Sequence, residues 1–135
     1  MSIHLGSTFR PAAVVATDVC LDLALGKEEA ARFFAEPPVE IRLATPTYLE
    51  LLGAARSPEE QRRLKRFVQG FAVLSLGPMA SSRAVELLLQ HSLTDGLTPL
   101  QALVAATALA HEIPLVTRDP DPYRNIPDLA LLQPY

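Results

Sequence analysis

Five short apolar runs, each of strand length and mostly without strict polar alternation, constrain this chain more than any other feature. They are residues 13–16 (AVVA), 41–44 (IRLA), 72–76 (AVLSL), 115–117 (LVT) and 130–132 (ALL). A strand covered on one face alternates apolar and polar residues, whereas one covered on both faces reads as a continuous apolar run. Between the runs lie segments that begin like helices. Thr45-Pro46, Ser57-Pro58, Gly77-Pro78 and Thr98-Pro99 each place an N-cap residue before a proline at the first helical position. Ser57 with Glu60, and Thr98 with Gln101, extend this to a capping box. Strands alternating with helices predict a three-layer α/β/α sandwich around a central, mostly parallel sheet of about five strands.

A chain of 135 residues fits one domain. Residues 1–12 read as an N-terminal extension and residues 13–135 as the domain. Cys20 is the single cysteine, which excludes an internal disulfide and a cysteine zinc site and suits a reducing cytoplasm. The N-terminus lacks a secretory pattern, and the nearly uncharged stretch 97–110 is too short and polar to span a bilayer, so no membrane role is expected. Twelve basic residues against fifteen acidic ones give a net charge of −3. That balance argues against nucleic-acid binding by bulk charge alone, and it leaves open a site that gathers carboxylates.

Open parallel sheets bind ligands beyond the C-terminal ends of their strands. At those ends this chain places Ala16-Thr17-Asp18, the segment carrying Glu50, the helix start carrying Gln101, and Thr117-Arg118-Asp119-Pro120-Asp121. Acidic side chains recur there and histidine does not.

These segments, ATDVCLDLALG, TPTYLELLGAAR and GLTPLQALVAATALAHEIPLVTRDPD, resemble in order and spacing the four motifs of the PIN-domain family, specifically its VapC-type toxin branch. The resemblance runs from about Ala13 to Leu132. It implies a PIN fold and, in members with an intact centre, a Mg²⁺- or Mn²⁺-dependent endoribonuclease acting on RNA, inhibited by an antitoxin. It also implies a homodimer or an antitoxin helix as cover for surplus apolar helix surface. Mg²⁺ takes oxygen ligands and activates water at a phosphodiester, and intact members supply four acids for it.

Carried over residue by residue, the acid set is incomplete. Glu50 matches the second-motif glutamate and Asp119 the fourth-motif aspartate, with Asp121 a weaker candidate. Gln101 stands where the third motif has aspartate; it keeps the capping role and gives up the charge. The first motif has two registers. One puts Asp18 in the acid slot. The other, which keeps Thr17 and the following helix in step, puts Ala16 there and makes Asp18 a helix N-cap. Asp22 reads as helix surface, and Asp95 as a loop acid with no required part. Two readings follow. One is a VapC-like PIN protein with weak or no nuclease activity that binds RNA or a protein partner. The other is an active nuclease using Asp18, Glu50 and Asp119, with Arg118 steadying the phosphate.

The segment 56–66 holds five basic and two acidic residues. It reads as a solvated helix face, acids in the first turn and bases towards the end, ahead of a phosphate-binding patch. His4, His91 and His111 read as surface residues and Cys20 as core. The stripes around Leu21, Leu25, Phe33 and Phe34, and around Val85, Leu88 and Leu89, exceed what a small core needs.

Overall fold

The computed structural model describes residues 9–135. All five runs form strands: β1 (Ala12–Val15), β2 (Glu40–Ala44), β3 (Ala72–Leu74), β4 (Leu115–Val116) and β5 (Leu131–Leu132). They pair in the order β3-β2-β1-β4-β5, every pair parallel, so the expected mostly parallel sheet is wholly parallel. Three strands end short of their apolar runs. At β1 the reason is visible: the Ala16 amide still donates to the Val116 carbonyl at 2.9 Å, but Ala16 is already the N-cap residue of the first helix.

Among the described residues, six helices flank the sheet: α1 (Thr17–Ala24), α2 (Glu28–Ala35), α3 (Thr45–Ala54), α4 (Pro58–Val68), α5 (Pro78–Asp95) and α6 (Pro99–Ala110), followed by a 3₁₀ turn at Asp121–Tyr123. Three of the four expected starts fall as read. Ser57 Oγ accepts the Glu60 amide at 3.1 Å, but Glu60 Oε1 accepts the Arg56 amide at 2.6 Å instead of the Ser57 amide, so the box expected there is only half made. Gly77 caps α5 without a side chain, and Thr98 with Gln101 forms the full capping box. Thr45 differs. The chain passes from β2 directly into α3, so Ala44 is the cap residue and the Thr45 hydroxyl donates to the Leu74 carbonyl at 2.9 Å, tying α3 to β3. Gly96 ends α5 at φ 73°, a left-handed conformation that glycine adopts without strain.

Alternate residues of β1 feed two cores. Val14 packs with Leu87 of α5, Val104 and Ala105 of α6, and Leu115. Ala13 and Val15 pack with Val19, Cys20, Phe33, Leu43 and Leu51 on the other side. This is the physical content of the non-alternating runs: both faces of the central strand are dry, and α6, rich in alanine, lies close against the sheet. Phe34, Phe67 and Phe71 form an edge-to-face cluster beside the second core. Cys20 is buried as expected, and burial pushes its thiol up to about 12; Phe33, expected within a surplus apolar stripe, is buried in the second core.

Other expectations are corrected. His91 is buried on α5, not on the surface; its Nδ1 pairs with Asp95 Oδ2 at 2.9 Å. Asp95 is the last residue of α5, not a loop acid. Bonds from His91 and from Asn125 Nδ2 hold its carboxyl below the usual range, pinning the helix end to the 3₁₀ segment. The β1 strand begins at Ala12, one residue inside the expected extension, and residues 1–8, His4 included, lie outside the described residues. Among the described residues no helix is long and apolar enough to cross a membrane.

Candidate functional site

Because every strand runs the same way, the β1, β2 and β4 C-terminal ends share one edge of the sheet. A cavity of about 630 Å³ opens there, lined among others by Thr17, Asp18, Glu50, Gln101, Thr117, Arg118, Asp119 and Tyr123. The structure thus brings Asp18, Glu50, Asp119, Arg118 and Gln101 to one place. Asp121 and Asp95 do not line it; Asp121 is exposed and pairs with Arg124. Ala16 is buried in the core beneath, 2% exposed, and presents no group to the cavity.

Asp18 is not the helix N-cap. It sits in the first turn of α1, one residue past Thr17, and its carboxylate reaches across to the loop after β4. Asp18 Oδ2 accepts the Thr117 hydroxyl at 3.0 Å, the Arg118 amide at 3.0 Å and the Asp119 amide at 3.2 Å. Asp18 Oδ1 accepts the Val19 amide at 3.0 Å. Successive amides plus a hydroxyl make a small anion-binding nest, and a carboxylate of this chain fills it. The consequence is that the loop carrying Asp119 is held in place through Asp18. Thr17 and the buried Thr47 share a hydroxyl hydrogen bond of 2.9 Å, fixing α1 against α3, the helix that carries Glu50.

Gln101 is committed too. Its side-chain Oε1 accepts the Thr98 backbone amide at 2.9 Å while the Gln101 backbone amide donates to Thr98 Oγ1 at 3.2 Å. The side-chain oxygen is therefore spent on the helix cap. Among the described residues, no three His, Cys, Asp or Glu side chains are grouped so as to hold a metal ion.

Asp22 overturns its reading as helix surface. It is 2% exposed and accepts three bonds: Arg118 Nε at 2.7 Å, the Tyr135 hydroxyl at 2.8 Å and Lys27 Nζ at 3.2 Å. Burial pushes its carboxyl up, but the bonds from Tyr135, Lys27 and Arg118 outweigh that and hold it below the usual range. The same pair keeps the Arg118 guanidinium charged. An acid set one turn after Asp18 within an apolar helix was the sequence signal for a buried partner. Tyr123, absent from the sequence reading, is 4% exposed and lines the cavity. Burial, then the charges of Asp18, Asp119 and Glu50, push its phenol well above the usual value, so it stays a neutral donor. Its place in a proline-rich loop hid it.

A groove of about 280 Å³ adjoins the cavity, sharing Leu21 as a wall and running past Cys20, Leu51, Phe67 and Arg63. On α5, Val85, Leu89 and Leu93 stand exposed on one face, while Leu88 packs partly into the core. The basic residues of α4 are exposed, as expected for a solvated face.

The PIN domain family model matches residues 13–129. No curated protein matches at the sequence level. Among solved structures, a toxin–antitoxin complex from Klebsiella pneumoniae is similar at 24% identity and TM-score 0.75, covering 91% of this chain and 98% of that one. VapBC2 from Rickettsia felis, bound to a promoter DNA fragment, is similar at 20% identity and TM-score 0.72, covering 90% and 98%. DNA-bound VapBC from Salmonella typhimurium is similar at 18% identity and TM-score 0.69, covering 94% and 100%. At these identities the likeness is one of fold.

Proposed function

Since this chain belongs to the PIN-domain family, its model matching residues 13–129, we propose that it is a VapC-like member of a toxin–antitoxin pair that binds RNA at the acidic cavity with weak or no cleavage. The observation that carries this reading is the fate of the acid positions. Gln101 spends its oxygen on the α6 cap, Ala16 offers none, and Asp18 Oδ2 already serves three donors. Mg²⁺ and Mn²⁺ take carboxylate oxygens gathered at one point, and although Asp18, Glu50 and Asp119 share the cavity, no three acids among the described residues are grouped to hold an ion, so this donor set fits the family's ion poorly. Arg118 lies on the cavity wall for a phosphate contact. The exposed face of α5 is where a homodimer partner or an antitoxin helix would bury apolar surface. The reading places the protein in the cytoplasm.

The second reading, a working endoribonuclease on Asp18, Glu50 and Asp119, draws on one fact: the three acids share a cavity. It requires Asp18 to surrender its loop bonds. Calorimetric titration with Mn²⁺, repeated on Glu50→Ala and Asp119→Ala, separates the two. The expected result is no binding heat at millimolar metal, with a labelled RNA bound and left uncut. Tight Mn²⁺ binding abolished by either substitution overturns the proposal in favour of the nuclease.

A further inference from the structure

We infer that Asp22 is a positioning residue that aims the Arg118 guanidinium at an RNA phosphate. This inference rests on the RNA-binding reading above. Arg118 is held at two points. Its amide donates to Asp18 Oδ2 at 3.0 Å and its Nε to Asp22 Oδ2 at 2.7 Å. An arginine tied at both backbone and Nε has a fixed guanidinium plane. Its two terminal nitrogens have no hydrogen-bond partner among the described residues, and the side chain, 45% exposed, lines the acidic cavity. A planar fork with both outer nitrogens free matches a phosphate, which accepts two parallel bonds.

Fixing it in advance removes the cost of ordering a long flexible side chain when RNA arrives. The charge balance also serves this use. Asp22 is shared with Lys27 and Tyr135, so its negative charge is not spent on Arg118 alone. Among the acids of the cavity, a preset arginine gives a phosphate an attractive contact that Asp18, Glu50 and Asp119 would otherwise oppose. Two carboxylates one helical turn apart on α1 thus act on the same loop: Asp18 grips its backbone and Asp22 its side chain.

Fluorescence anisotropy of a labelled single-stranded RNA in EDTA, at several salt concentrations, tests this on the full chain. Arg118→Ala is expected to weaken binding roughly tenfold, the loss of one charge-assisted contact, and to lower the salt slope by about one. Arg118→Lys keeps the charge but lacks Nε, and is expected to lose nearly as much. Asp22→Asn is expected to weaken binding several-fold in the native background and not at all in the Arg118→Ala background. A purely structural clamp gives another pattern: Asp22→Asn melts lower yet binds RNA as the wild type does, or weakens both backgrounds equally. Either result overturns the inference and leaves the RNA reading standing. If Asp22→Asn does not fold, Arg118→Lys decides, and wild-type affinity there refutes the aiming role. Failure of the wild type to bind RNA removes the reading beneath, and the inference with it.

Discussion

Replacing Asp22 by asparagine keeps the shape of the side chain and removes only its charge. The asparagine carbonyl can still accept from Arg118 Nε and the Tyr135 hydroxyl, but its amide now faces the Lys27 ammonium. Charge-assisted hydrogen bonds exceed neutral ones by about 1 kcal/mol each. The carboxylate is buried, but Lys27 and Arg118 are 48% and 45% exposed, so water compensates part of each loss. The net cost is about 1–2 kcal/mol. For 135 residues that lowers Tm by roughly 4–7 °C. The pH dependence follows from the sign of the shift. The folded Asp22 carboxyl titrates below its unfolded value near about 4, so its stabilisation is complete above that pH and lost as pH falls through the folded value. Differential scanning calorimetry of both proteins from about pH 7 to about pH 2.5 should therefore show a Tm gap at neutral pH that closes in acid. A gap under about 1 °C at pH 7, or one that persists unchanged at the acid end, would refute the argument that charge on Asp22 does this work.

Three further outcomes are expected. If the proposed register is right, placing acids at the two positions it assigns, Ala16→Asp with Gln101→Asp, should create a calorimetric Mn²⁺ heat absent from the wild type, at some cost in stability because position 16 is buried. Thr98→Ala removes the acceptor for the Gln101 amide and should cost about 1 kcal/mol in a urea melt. The Cys20 thiol, pushed up to about 12 by burial, should resist a thiol reagent at about pH 8 in the native protein and react promptly in urea.

Most of the architecture was legible along the chain. Apolar runs without alternation announced a sheet covered on both faces, and the Ser57, Gly77 and Thr98 starts placed three helices, because caps and strand burial are decided by residues close in sequence. The Thr45 start went astray because a contact 29 residues away, with Leu74, took its hydroxyl. The capping role of Gln101 was legible for the same local reason: its partner Thr98 is three residues off.

The roles of Asp18 and Asp22 were not legible. Both act on residues 117–119, about a hundred positions along the chain, and only the pairing of β1 with β4 brings that loop over α1. Local chemistry offered a helix cap for one and helix surface for the other. Contact with a distant loop reversed both: half-buried Asp18 meets the Thr117 hydroxyl and the Arg118 and Asp119 amides, and buried Asp22, which must find donors, meets Arg118 together with Tyr135 and Lys27. The residue types at the strand ends were thus written in the chain, whereas which carboxylates remain free to meet a ligand was decided when the sheet closed.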